Sequence, residues 1–373
     1  MGRRLAIFLC LAVVVGGIFG LVSYSAVGGT LRVGVLFPMT GEAGSYGEKG
    51  LKAVRLAQSQ LKDLGRSVEI IVEDSKAEPA RGVAAARKLV NVDKVPVIVG
   101  DIVSAVTLAI APIAEQNGVV LISPTSSAPA ITNAGEYIYR IWPSDLAEGR
   151  EIASLAIKRG YKRVVVMHMN NDYGAAIASI FEKTLQSAGG TVLSKSGYLP
   201  SETDFRSVLS SVTSQRADAI YVAGYFADTA LIVRQARELG NKTQFLGTTA
   251  IEDEKFITLA GDASEGIIYP LATGFDTNSS NTNVRSFVDA FVKRYNEQPG
   301  WVEAQVFDAF MLAIDVAGKI SGSVTGKKLK EAMDNMDSYD GVAGKVKFDE
   351  NGDVVKPVIF KTVRSGKFVP LTP

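Results

Sequence analysis

The feature that most constrains the fold is an alternation of short apolar segments with longer amphipathic ones, beginning at Leu31. Apolar segments lie at residues 31–37, 68–72, 97–99 and 119–122, and the helical patterns between them lie at residues 46–64, 79–92 and 104–116. Short apolar segments bounded by turn residues indicate buried strands, and helices between them indicate a parallel sheet covered on both faces. The alternation therefore predicts an α/β fold.

The pattern stops at residues 137–144 and then repeats with the same rhythm. The second series predicts strands at residues 163–167, 191–196, 219–223 and 244–246, and helices at residues 145–159, 172–188, 204–215 and 227–239. Two sheets of ordinary width explain two such series better than one very wide sheet does. We therefore predict two doubly wound parallel-sheet lobes.

The last hundred residues predict how the lobes are connected. Helices are predicted at residues 283–296, 303–320 and 325–334, followed by strands at residues 344–348 and 358–363 around an Asn351-Gly352 turn. Helices without strands cannot build a third sheet, so we expect them to complete the first lobe and the strands to extend the second. The chain then crosses three times, near residues 139–143, 271–275 and 337–341, which makes a hinge. This assigns residues 30–141 and 274–338 to the first lobe, and residues 142–273 and 339–373 to the second.

The N-terminus indicates export. Arg3 and Arg4 precede an apolar run at residues 5–22, and small and polar residues follow up to residue 29. This order is typical of a secretory signal, although the apolar run approaches the ~20 residues that cross a bilayer. We therefore predict that residues 1–29 are a signal peptide or an N-terminal anchor, and that the protein meets the membrane only through them.

Composition narrows the function further. The chain has 40 basic and 39 acidic residues, one cysteine (Cys10) and one histidine (His168). Near-neutral charge gives no reason to expect nucleic acid as a partner. A single histidine with no nearby G-x-S-x-G turn argues against a serine hydrolase, and the G-x-x-G-x-x-G spacing at residues 41–47 is not the dinucleotide-binding pattern. We expect neither an enzyme nor a cofactor or metal.

Polar and aromatic residues follow the predicted strands at the edge where ligands bind in open α/β sheets. Ser104, Thr125 and Ser127 follow strands of the first lobe, whereas Tyr173, Tyr225 and Thr249 follow strands of the second. Ser104 could instead be only a helix N-cap, and the tyrosines could be ordinary surface rings. Their shared position favours a cleft that takes a ligand with a carboxylate at one end and an apolar body at the other.

The sequence resembles a known family in five segments: LRVGVLFPMTGEAGSYGEKG, VIVGDIVSAVT, LISPTSSAP, NNDYG and RQARELGNKTQFLG. It is similar to the extracytoplasmic solute-binding proteins of ABC importers, of the branched-chain (Leu/Ile/Val) amino-acid receptor type. The resemblance implies a type I periplasmic-binding-protein fold, in the periplasm or at the outer face of the cytoplasmic membrane. It also implies closure around a small ligand that is delivered to permease subunits.

The resemblance assigns roles to residues. It implies that Ser104, Thr125 (through its carbonyl) and Ser127 hold the α-carboxylate and α-ammonium of an amino acid. It implies that Tyr46, Tyr173 and Tyr225 form the walls of the pocket.

One position departs from the family pattern. The amino-acid binders usually carry an acidic residue where this chain has Thr249, and a buried ammonium without an anionic partner is costly. Glu252, Asp253 or Asp101 could substitute for it. We therefore expect a hydrophobic or branched-chain amino acid, with two alternatives. One is an aromatic or aliphatic carboxylic acid or amide that lacks the ammonium. The other is a role as a sensory ectodomain.

Overall fold

The computed structural model describes residues 30–41 and 43–372, and the predicted signal peptide or anchor at residues 1–29 lies outside the described residues. Two α/β lobes are present, as predicted. Within the described part of the chain, no helix is both long and apolar enough to cross a lipid bilayer.

The first lobe is built on a five-stranded sheet with the order β2-β1-β3-β4-β5. Its strands are β1 (Leu31–Phe37), β2 (Val68–Asp74), β3 (Val97–Gly100), β4 (Val120–Ser123) and β5 (Ile138–Arg140), and all neighbours run parallel. Three helices connect the strands: α1 (Gly44–Asp63), α2 (Pro79–Asn91) and α3 (Ser104–Gln116). Strands β3 and β4 are buried along their whole length, as expected for central strands covered on both faces.

The second lobe is built on a seven-stranded sheet with the order β14-β13-β10-β9-β8-β6-β7. Five of its strands are β6 (Arg163–Met169), β7 (Thr191–Tyr198), β8 (Ala219–Ala223), β9 (Gln244–Leu246) and β10 (Ile268–Leu271), and they run parallel. The helices of this part are α4 (Asp145–Lys158), α5 (Asp172–Ser187), α6 (Arg206–Ser214), α7 (Phe226–Glu238) and α8 (Glu254–Ala260).

The C-terminal part returns to both lobes. Its helices are α9 (Thr282–Tyr295), α10 (Trp301–Gly318) and α11 (Gly326–Asp334). Helix α10 packs along α1 and against β3, and α11 packs against β4, so these helices lie against the first sheet. Strands β13 (Ile359–Arg364) and β14 (Lys367–Pro370) extend the second sheet, with β13 antiparallel to β10. Their connection is the two-residue turn Ser365-Gly366, in which both residues have positive φ as a tight hairpin requires.

Four details of the sequence prediction are wrong. Residues 344–348 do not join the second sheet, because β12 (Gly344–Val346) pairs only with β11 (Tyr339–Gly341) in a separate hairpin. The Asn351-Gly352 turn therefore does not connect paired strands. Strand β5 lies in a segment that was assigned to a linker, and helix α8 was missed because it is only one to two turns long.

The chain passes between the sheets three times: from β5 to α4, from β10 to α9, and from α11 to β13. The second and third passages touch, since Gly274 N–H donates to the Ala343 carbonyl over 3.3 Å. Residues 348–353 of the third passage contact the first lobe, where the Phe348 ring lies 5.1 Å from that of Tyr139. The division of the chain at particular residues stays a prediction, and this contact departs from its assignment of residues 339–373 to the second lobe.

Candidate functional site

The seven residues that the sequence singled out lie around one cavity between the lobes, with a volume of about 460 Å³ that includes its open mouth. The cavity is lined by Tyr46, Ile102, Val103, Ser104, Thr125, Ser127, Trp142, Glu148, Tyr173, Tyr225, Thr249, Ala250 and Trp301. Six of the seven lie within four residues of the carboxyl end of a strand, where loops from neighbouring parallel strands converge, and Tyr46 lies in the first turn of α1, which follows β1. Their assignment as ligand contacts remains a prediction.

The first lobe contributes hydroxyl and N–H groups. Ser104 is the first residue of α3, and its Oγ accepts hydrogen bonds from the N–H groups of Ser127 (3.1 Å) and Ala128 (3.2 Å). The N-cap of α3 is Val103 and no side chain caps the helix, so the alternative role of Ser104 as N-cap is wrong. The first N–H groups of a helix lack intrahelical partners. This side of the cavity therefore concentrates hydrogen-bond donors suited to an anion.

The second lobe contributes aromatic rings. Tyr173 and Tyr225 stack with their ring centroids 5.5 Å apart and their planes 2° from parallel. Tyr225 precedes α7, and its N–H donates to Asp228 over 3.0 Å, which holds the ring at the start of the helix. Both residues are less than a tenth exposed, so they are not surface rings.

Tyr46 closes the cavity from the first lobe. Its ring lies edge-on to Tyr225 at 6.1 Å, and its hydroxyl donates to the Ala250 carbonyl of the second lobe. The start of α1 comes so close to the preceding loop that a Cβ at position 47 would lie 2.1 Å from the Pro38 carbonyl oxygen. Glycine at position 47 is therefore what allows Tyr46 to reach the second lobe.

Two tryptophans that the sequence analysis did not select complete the apolar wall. Trp142 lies in the first passage between the lobes, Trp301 begins α10, and their ring centroids are 4.7 Å apart. Trp301 Nε1–H donates to the Glu252 carbonyl over 3.2 Å, which satisfies its only polar group. Trp301 was missed because it lies on a helix far from every strand end. Trp142 was missed because it lies within residues 137–144, where the alternation of strands and helices stops.

The cavity also contains a carboxylate that the sequence analysis missed. Glu148, in the first turn of α4, accepts hydrogen bonds from Thr249 N–H (2.9 Å) and Thr249 Oγ1–H (2.8 Å). The residue is 3% exposed, and burial raises the pKa of its carboxyl to about 7, although the two bonds from Thr249 act in the opposite direction. An acidic group therefore lies directly beside the position where the family pattern led us to expect one.

A sequence signal for Glu148 existed. The buried stripe of α4 consists of Asp145, Glu148, Gly149, Ile152, Ala153 and Ala156, which is the spacing of one helix face. Acidic residues in a first turn usually interact with the helix dipole at the surface. An acidic residue on the apolar face instead indicates a functional role, because burial of an unpaired carboxylate costs free energy.

Asp145 lies one turn before Glu148 and is also buried. Burial and the nearby Glu148 carboxylate raise the pKa of Asp145 well above its usual value, while the Ser127 hydroxyl and the Arg140 guanidinium act to lower it. Neither carboxyl oxygen of Asp145 makes a hydrogen bond of normal geometry. This end of the cavity is thus acidic and short of positive charge.

The three acids proposed as substitutes do not line the cavity. Asp101 is fully buried behind it, with Oδ1 bonded to Val103 N–H at 2.7 Å. Glu252 pairs with Lys361 and accepts from the Tyr269 hydroxyl, and Asp253 pairs with Lys49. The suggestion that one of them replaces the missing acid is therefore wrong, because none of the three lines the cavity. His168 also lies outside the lining, with Nδ1 3.2 Å from the Met169 carbonyl oxygen.

Comparison with known proteins identifies the family. A family model described as periplasmic binding protein matches residues 30–367. A leucine-, isoleucine-, valine-, threonine-, and alanine-binding protein of Pseudomonas aeruginosa is 30% identical over 346 residues, covering 90% of each chain. The Leu/Ile/Val-binding protein of Escherichia coli is 25% identical over 330 residues, covering 87% of this chain and 88% of that protein.

Solved structures agree with these relatives. A leucine binding protein, LivK, from Thermotoga maritima superposes with a TM-score of 0.86 at 30% identity, covering 92% of this chain and 98% of that one. LivJ from Streptococcus pneumoniae, in complex with isoleucine, gives 0.84 at 27% identity, covering 91% and 98%. A solute binding protein of an ABC transporter from Rhodopseudomonas palustris, in complex with 3,4-dihydroxy benzoic acid, gives 0.82 at 25% identity, covering 92% and 96%.

Proposed function

Because this chain belongs to the periplasmic binding protein family, we propose that it is the extracytoplasmic binding component of an ABC importer. Its ligand is a hydrophobic α-amino acid, which it holds as a zwitterion and delivers to permease subunits. The protein acts in the periplasm or at the outer face of the cytoplasmic membrane. The observation that carries this proposal is the Glu148 carboxylate, which lines the same cavity as the hydroxyl and N–H groups of the first lobe.

The ligand carboxylate binds at the first lobe. Ser104 Oγ, Ser127 Oγ and the backbone N–H groups at the start of α3 and at Ser127 provide donors without a cationic side chain. The Ser127 N–H donates to Ser104 Oγ over 3.1 Å. A carboxylate replaces this bond with charge-assisted ones, which are roughly twice as strong as neutral bonds.

The ligand ammonium binds at Glu148. Thr249 occupies two lone-pair directions of this carboxylate and holds it in place, which leaves the remaining directions for the ligand. The negative charge that relatives are expected to place on the strand-end residue is here supplied from α4. An ammonium in contact also removes the cost of a buried, unpaired carboxylate. Glu148 thus takes the role of the acidic residue that is absent at position 249.

The apolar side chain binds among aromatic rings. The Trp142 and Trp301 rings are in contact with their planes tilted by 43°, and the Tyr46 ring centroid lies 6.5 Å from that of Trp301. These rings come from the first lobe and the hinge, while Tyr173 and Tyr225 come from the second lobe. A ligand in the cavity therefore touches both lobes at once, and contacts made only in the closed form shift the equilibrium towards closure.

A carboxylic acid without an ammonium is the second candidate, favoured by the structural neighbour that binds 3,4-dihydroxy benzoic acid. Such a ligand satisfies the first lobe but leaves Glu148 without a cation. It could bind only with Glu148 protonated, which costs free energy above the pKa of about 7. An amino acid avoids that cost at neutral pH.

A thermal-shift comparison of L-leucine, L-isoleucine and L-valine with 4-methylpentanoate tests the proposal. This acid carries the leucine side chain and carboxylate without the ammonium. A ligand at a hundred times its Kd stabilises the fold by about 2.7 kcal/mol. We expect an increase in melting temperature with at least one amino acid at neutral pH and little or none with 4-methylpentanoate. The reverse order would contradict the proposal.

The pH dependence of binding separates the two ligand classes. The bound ammonium needs an ionised Glu148, whose pKa burial raises to about 7. Affinity for L-leucine is therefore nearly full at pH 8 and falls as the pH drops through about 7, by roughly 30-fold from pH 8 to pH 5.5. Affinity for 4-methylpentanoate rises over the same range, since protonation removes a repelling charge. Isothermal titration calorimetry at both pH values measures the two slopes, and slopes of the same sign would exclude Glu148 as the ammonium partner.

A further inference from the structure

A second set of contacts joins the lobes outside the ligand cavity. Asp253, at the N-cap of α8 in the second lobe, faces the first turns of α1 in the first lobe. Asp253 Oδ2 accepts a hydrogen bond from Ser45 Oγ over 2.8 Å and forms an ion pair with Lys49 Nζ at 2.9 Å. We call Ser45, Lys49 and Asp253 the Asp253 latch. None of the three is among the described residues that line the cavity.

The two oxygens of Asp253 serve different purposes. Oδ1 accepts from Lys255 N–H over 2.8 Å, a bond within α8 that persists whether the lobes are open or closed. Oδ2 is bound by partners from the opposite lobe. Separation of the lobes therefore breaks the contacts of one oxygen and leaves the helix cap intact.

Burial of the Asp253 side chain strengthens the contacts of its Oδ2. The Asp253 side chain is 1% exposed, and the Lys49 side chain is 25% exposed. A carboxylate with so little access to water depends on its partners, so the ion pair is stronger than one at the surface. The buried Glu303 carboxyl is also nearby, where Lys49 and Asp253 shift its pKa in opposite directions. Lys49 thus lies close to an acidic group of each lobe, Glu303 of the first and Asp253 of the second.

We propose that Asp253 is a positioning residue: through the latch it stabilises the closed form and sets ligand affinity and residence time without touching the ligand. The proposal rests on the closure assigned under the proposed function. When the free protein is mostly open, apparent affinity scales with the closing equilibrium. Loss of the latch then weakens every ligand by the same factor and leaves selectivity unchanged.

The variants Asp253→Asn, Lys49→Met and their combination test the latch. Asparagine retains the cap on Lys255 N–H through its amide oxygen, and its amide N–H can donate to Ser45 Oγ, so α8 is preserved. We expect each single variant to lose about tenfold in affinity, the size of a partly buried charge interaction, with most of the loss in a faster dissociation rate. The double variant should lose little more than either single one, because both remove the same interaction.

The surface pair Lys255 and Glu48 also joins the two lobes and provides a matched control. Lys255 lies 3.9 Å from Glu48, and both side chains are more than half exposed. Lys255→Met should leave affinity within about twofold of the wild type. Lys49→Arg, which preserves the charge, should recover most of the affinity lost in Lys49→Met.

L-Leucine, 4-methylpentanoate and benzoate are the probes, with rates measured by stopped-flow tryptophan fluorescence. The latch is supported if its variants weaken every probe that binds by one common factor. It is overturned if the variants bind like the wild type, if Lys255→Met has the same effect, or if probes are weakened unequally. A wild type that binds only the acids would contradict the proposed ligand, yet the latch would still be tested with those acids.

Discussion

Replacing Glu148 by glutamine is expected to weaken L-leucine binding by about 3 kcal/mol, on the order of a hundredfold, because the ligand ammonium loses its buried charged partner. The fold should tolerate this change. The amide oxygen of the new side chain can still accept from Thr249 N–H, and Thr249 Oγ1 already lies 2.9 Å from the Pro270 carbonyl oxygen and can donate there instead. The hydroxyl can then accept from the new amide N–H, so no buried polar atom loses its partner.

The same variant should bind 4-methylpentanoate at least as well as the wild type does, since a neutral amide does not repel a carboxylic acid. The ratio of the two affinities, measured by calorimetry at pH 7.5, is the decisive quantity. Glu252→Gln is the matched control, because Glu252 lies close to the cavity but pairs with Lys361 outside it. Equal losses for both ligands in Glu148→Gln would mean that Glu148 supports the structure and does not recognise the ammonium.

Replacing Arg140 by methionine is expected to destabilise the protein by about 3–5 kcal/mol, because it leaves a partly buried carboxylate without its cation. The Arg140 side chain is fully buried and forms a two-point ion pair with Asp353 at 2.6 and 2.5 Å. The same guanidinium donates to the carbonyl oxygens of Ser127 (3.1 Å) and Ala128 (2.9 Å). Arg140 therefore connects the loop that contains Ser127 and Ala128 in the first lobe to the third passage between the lobes.

Differential scanning calorimetry should show a decrease in melting temperature of about 10 °C, given a shift of roughly 2–4 °C per kcal/mol for a protein of this class. The double variant Arg140→Met/Asp353→Asn should recover part of the stability, since it removes the stranded charge. Arg81→Met provides the control, because Arg81 pairs with Glu78 at the surface and both side chains are more than half exposed. A loss below about 1 kcal/mol in Arg140→Met would contradict the importance of this pair.

Where the signal is local, the sequence selected residues that the structure brings together. Alternation of strand and helix placed the strand ends, and the rule that ligands bind at carboxyl ends of parallel strands selected Ser104, Thr125 and Ser127. The structure places all of them at one cavity with Tyr46, Tyr173, Tyr225 and Thr249. The same reasoning failed for the tail, because the hydrophobic pattern of residues 344–348 indicates a strand and does not indicate its partner.

What the sequence by itself determined is the two-lobe α/β fold, the family and the edge of each sheet at which the candidate binding residues lie. Those properties follow from the hydrophobic periods of two and 3.6 residues and from short sequence segments. Both can be recognised without knowledge of the tertiary contacts. Only the tertiary structure decided which charges are buried and which groups face them. Glu148 meets Thr249 from 101 positions away, Ser45 meets Asp253 from 208, and Arg140 meets Asp353 from 213. A carboxylate becomes a recognition group or a latch only when such distant neighbours remove it from water, because burial and partners set its free energy.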